Sequence, residues 1–171
     1  MDHLRELIAT DDRQALEFFF LGLMNVSETT VDRQELLYNA SVLAHYAQVS
    51  TQAEFDLPTP SNLSEVFDNF VCDSSLRSHG DLMETAGAQC LLLAGFFERQ
   101  MSGRHNIGWY TRLGAGFFSR AADGEPSLNK ARLLDTMARH FELWRRRYSR
   151  LGRDLMTQPY LFSPSNAPKS V

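Results

Sequence analysis

Arg132, Arg139, Arg146 and Arg153 stand seven residues apart, so on a helix they share one line, which Arg145, Arg147 and Arg150 widen. Guanidinium groups are planar, permanently charged and suited to two-point contacts with carboxylate or phosphate. A row of them can recognise an acidic partner. Arg132, Arg139, Arg146, Arg150 and Arg153 are therefore the candidate partner-binding residues. Part of the charge can be answered within the helix, because Asp135–Arg139, Glu142–Arg146 and Arg150–Asp154 are four apart. Each such pair contributes about 0.2–0.5 kcal/mol, and a solvated helix face is the competing reading.

Other chemistry is sparse. The five histidines belong to no HExxH or Glu-x-x-His arrangement, and no glycine cluster forms a phosphate loop. No serine has a GxSxG setting. Cys72 and Cys90 cannot build a disulfide framework or a four-ligand zinc site unaided. No catalytic residue, metal site or cofactor is expected. Glycine is the remaining oddity: Gly87 and Gly95 sit in one helical pattern, and Gly108, Gly114 and Gly116 in the next. An interior glycine costs about 1 kcal/mol relative to alanine. Close packing against Phe96, Phe97, Phe117 or Phe118 would offset it. An apolar cleft between residues 81–101 and 107–122 is the functional alternative. Glu98, His105, Tyr110 and Arg112 lie nearest that junction in sequence and are its candidate ligand-binding residues.

These residues must be held by something, and composition bounds what. The 171 residues are 43% hydrophobic and 22% charged, enough for one domain with a real core. No apolar run reaches the roughly 20 residues of a membrane-spanning helix. The opening residues lack a basic and then apolar leader pattern, so a reduced cytoplasmic setting without a membrane is expected. The net charge of −4 conceals a division. Residues 1–73 carry thirteen acids against three arginines, whereas the remainder carries fourteen basic and eight acidic residues. Only Lys130 and Lys169 among the basic residues are lysine. Attraction between the two halves within one fold needs no external partner. An isoelectric point near 5.7 argues against nucleic acid as the partner.

Periodicity favours helix nearly throughout. A short helix is expected over residues 2–9. Another starts at Asp11 or Asp12 and runs to Val26, with Leu16, Phe19, Phe20 and Leu23 on one face. Thr29 and Asp32 resemble a capping box for a helix to about Ser50. The prolines at 58 and 60 mark a connector, followed by a shorter helix to about Cys72. Helices over 81–101, from Asn106 to about 122, and from Ser127 to Leu155 complete the set. In the last, Leu134, Met137, Phe141, Trp144, Tyr148, Leu151 and Leu155 alternate at three and four, an apolar seam three heptads long. Residues 157–171 hold three prolines and read as a partly mobile tail. The expected architecture is all-α: a single-domain bundle of five to six helices over residues 1–156, with a long C-terminal helix.

The stretch Gly87-Ala-Gln-Cys-Leu-Leu-Leu-Ala-Gly-Phe-Phe-Glu, followed by Gly108-Trp-Tyr-Thr-Arg-Leu-Gly-Ala-Gly-Phe-Phe, resembles an uncharacterised family of bacterial all-helical proteins over about residues 86–122. That resemblance implies a helical fold and a bacterial source, and no reaction. Ala88 stands where the family has aspartate, and Trp109 and Phe118 where it has tyrosine. The reading reached from the residues is a non-enzymatic helical protein that self-associates or docks on a protein partner. It would do so through the arginine-lined helix or the glycine-rich pair. A small-molecule binder or enzyme using the inter-helix cleft is the alternative, and nucleic-acid binding a further one.

Overall fold

Asp32 accepts hydrogen bonds through Oδ1 from the backbone N–H of Gln34 (2.9 Å) and Glu35 (3.1 Å), closing off two amide groups that a helix start leaves unpaired. The cap is thus Asp32 itself, where the spacing pointed to Thr29. Asn106 does the same for Trp109 N–H (3.1 Å), and Ser127 faces Lys130 N–H at 3.5 Å. The computed structural model describes residues 12–27, 30–51, 80–103 and 105–156. The helices expected over 2–9 and up to Cys72, the proline connector and the tail lie outside the described residues.

Among the described residues seven α-helices follow in order: α1 (Asp12–Val26), α2 (Arg33–Thr51), α3 (Gly80–Leu91), α4 (Glu98–Met101), α5 (Ile107–Gly124), α6 (Leu128–Arg139) and α7 (Phe141–Met156). A π-helical segment, Leu92–Phe96, joins α3 to α4. Among the described residues there is no strand. The fold is all-α. Two elements differ in detail from their periodic patterns. The pattern over 81–101 is interrupted by the π segment, and the final rod by one residue, His140.

That interruption is local. His140 donates its backbone N–H to Thr136 O (2.8 Å) and accepts from Trp144 N–H (3.0 Å), so hydrogen bonding runs through the break. The seam keeps its register across it. All seven of its residues, from Leu134 to Leu155, are buried at 5% exposure or less. α7 is the central helix, touching α1, α3, α5, α6, the π segment and α4. Trp144 and Tyr148, both fully buried, are its largest core side chains. Truncating Trp144 to alanine should cost about 3–5 kcal/mol.

Buried polar groups stitch the N-terminal helices to this centre. Asn39 on α2 donates through Nδ2 to Glu35 O (2.8 Å) and Met137 Sδ (3.3 Å), and its Oδ1 accepts from Tyr148 OH (2.8 Å). Glu35 accepts from Trp144 Nε1 (3.1 Å) and lies 2.8 Å from His140 Nδ1. Tyr38 OH donates to Glu84 (2.9 Å), whose other oxygen meets Lys130 Nζ at 2.9 Å. Glu35 therefore brings one acid of the N-terminal half onto the C-terminal helices, where an indole and an imidazole meet it.

The glycine-rich pair is close-packed where it meets. A Cβ on Gly87 would lie 3.0 Å from the Phe118 ring. One on Gly114 would collide with the Phe141 ring and stand 2.8 Å from Cys90 Cβ. At these two points α3 and α5 touch directly. Gly116 has nothing within 4 Å, so packing does not account for it.

Candidate functional site

The π segment creates the site. Its signature bond runs from Phe97 N–H to Leu92 O (2.9 Å), five residues back, and such a turn perturbs the regular pairing of nearby carbonyls. Arg145 Nη1 donates to one of these, Ala94 O (3.3 Å). Two glycines allow the segment to lie almost on α7. A Cβ on Gly95 would stand 2.7 Å from Tyr148 Cβ, and one on Gly152 would collide with Phe96 O. Arg145, Ser149 and Gly152, spaced four and three, form a second packing strip beside the apolar seam.

Between the π segment, α4 and α7 runs a groove of about 790 Å³. Six arginines line it: Arg99, Arg145, Arg146, Arg147, Arg150 and Arg153. Among the described residues Glu98 is the one acid in the lining, beside Ser102 and Ser149. The apolar part of the wall comes from Val26, Phe96 and Leu143.

The arginines are not equivalent. Arg145 is clamped: Nε and Nη2 donate to Glu142 (2.7 and 2.8 Å), and Nη1 pairs with Glu98 (3.1 Å). The hydrogen bonds to Glu142 push the Arg145 guanidinium above its ordinary value. The same Arg145 bond holds the Glu142 carboxyl below the usual range. Arg146 also reaches Glu142, at 3.1 Å, while its side chain stays 74% exposed. Arg147 is buried and lies over the Trp144 ring, 4.5 Å from its centroid, a cation–π contact. Burial pulls its guanidinium below the ordinary value, against the opposing field of Glu35. Ser149 donates to Glu98, fixing that carboxylate on the groove wall. Among the described residues no ion pair engages Arg99 or Arg153.

Of the five arginines singled out by spacing, Arg146, Arg150 and Arg153 come together in the groove. Arg132 and Arg139 remain exposed on α6, outside it, with Arg139 paired to Asp135 (3.1 Å). Arg147, expected on the outer line, faces inward instead. It stands three residues after Trp144 and four before Leu151, which puts it beside the buried seam. Arg99 was missed because its position depends on the π turn.

The four residues proposed for the inter-helix cleft do not converge. Tyr110 is buried, with the His105 ring 6.2 Å from its own. Burial raises its hydroxyl above the ordinary value. Glu98 turns to α7, and Arg112 is exposed. Cys90 is buried, and its thiol is pushed up to about 12 by that burial. Among the described residues no group of three His, Cys, Asp or Glu side chains could hold a metal ion, and no helix is long and apolar enough to cross a membrane.

No protein-family model, curated protein or solved structure matches the chain.

Proposed function

We propose that this chain is a docking protein that takes an acidic segment of a partner protein into the groove beside α7. One observation carries the reading: among the described residues, five arginines besides the inward-facing Arg147 line a groove in which Glu98 is the one acid. Their restraint supports it too. Arg145 and Arg147 are held by neighbours, so the walls of the groove are set before a partner arrives, which lowers the ordering cost of binding. Exposed guanidinium groups at Arg146, Arg150 and Arg153 then offer two-point contacts to carboxylates. Exposed pairs contribute about 0.2–1 kcal/mol each, so the association should be weak, reversible and salt-sensitive rather than permanent.

A fluorescein-labelled Glu-rich peptide titrated with the protein tests this by anisotropy at low and high salt. Saturable binding that weakens with salt, and is lost in Arg150→Glu/Arg153→Glu but kept in Arg132→Glu, is expected. Absence of binding at low salt would overturn the reading. A DNA duplex binding in preference to the peptide would replace it with a nucleic-acid function.

A further inference from the structure

Leu143 breaks the chemistry of the groove. It is 44% exposed, yet it sits on the central helix among the groove's arginines. Arg146, Arg150 and Arg153 follow it at three, four and three residues. This outer strip therefore has the same alternation as the buried seam on the other side of α7. Such spacing is how one helix receives another along its length, with side chains of each entering gaps in its partner. A purely electrostatic surface for an extended acidic chain would need no exposed leucine in line with its cations.

Resting on the docking reading, we infer that the occupant is an amphipathic acidic helix. It seats one apolar side chain on Leu143 and sets carboxylates a turn or more further on against Arg150 and Arg153. From Leu143 to Arg153 the strip rises about 15 Å, so roughly three turns of partner helix would cover it. The apolar contact supplies attraction that salt does not screen, and the arginines set register and direction.

Three labelled peptides of equal length and net charge separate the possibilities. One is a helical Glu/Ala/Leu sequence with its leucines on one face, the second has the same composition scrambled, and the third has alanine for every leucine. The facial peptide should bind about tenfold more tightly than the other two. It should also gain helical circular dichroism on binding. Leu143→Ser, a change at an exposed site, should remove that advantage and bring the facial and leucine-free peptides to the same affinity. Equal affinity for all three peptides, or a Leu143→Ser protein that still prefers the facial one, overturns the helical occupant while docking itself survives. Failure of all three to bind removes the docking reading and this inference with it.

Discussion

The carbonyl oxygen of Phe96 rests against the Cα of Gly152, with no room for a methyl group between them. This contact fixes how closely the π segment approaches α7, and hence the depth of the groove. Gly152→Ala should therefore destabilise the fold by about 2 kcal/mol, since backbone has to shift to admit the new carbon. Gly116→Ala, at an open helical position, should instead stabilise it by up to about 1 kcal/mol. Urea denaturation of the two variants distinguishes these opposite signs.

Glu35 reaches across from α2 to accept the indole N–H of Trp144. Glu35→Ala leaves that buried donor unpaired and should cost about 1–3 kcal/mol. Glu35→Gln, which keeps an acceptor oxygen, should cost less. A double-mutant cycle with Trp144→Phe should return a coupling of about 1 kcal/mol. Independent, additive effects would show that the bond contributes nothing.

Burial holds the Tyr148 hydroxyl well above its ordinary value of 10.0, and Tyr38 behaves likewise beside Glu84. A folded-state value raised in this way gives stability that is complete below about pH 10 and declines as pH rises toward the folded value. Ultraviolet titration should show these two tyrosines ionising only as the protein unfolds. Tyr148→Phe should lose about 1 kcal/mol at neutral pH, through the bond to Asn39 Oδ1, and show a shallower alkaline decline.

With its thiol buried and pushed up to about 12, Cys90 should resist alkylation and disulfide reagents in the native protein. In a Cys72→Ser background, a chromogenic thiol reagent should read close to zero before denaturant and one thiol afterwards. Rapid labelling of the folded protein would contradict the packing around Gly114.

The seam from Leu134 to Leu155 was legible because a period of three and four survives a one-residue irregularity such as His140. Asn106 was legible as a cap because its side chain acts within three residues, whereas the Ser127 cap emerges only from the structure. The buried Glu35 was not, since its partners lie more than a hundred positions away. Arg147 was misplaced because charge was allowed to outweigh register: its spacing from Trp144 and Leu151 already put it on the inner side. The π segment left only one trace, a glycine inside an apolar helical run, which ordinary helix packing would explain equally well. One wall of the groove depends on that segment and was therefore out of reach.

A π turn is an α-helix carrying one residue too many. Excising a residue between Leu92 and Phe96 would restore the regular winding and leave the helix downstream nearly in place, because the wide turn absorbs its extra residue locally. Glu98 and Arg99 would keep their places beside α7, whereas the carbonyls of the segment would pair within the helix and Arg145 would lose its bond to Ala94 O. Such a shortened chain would retain its oily interior and its guanidinium row, so that the surplus residue serves to tether one arginine head group to the facing backbone.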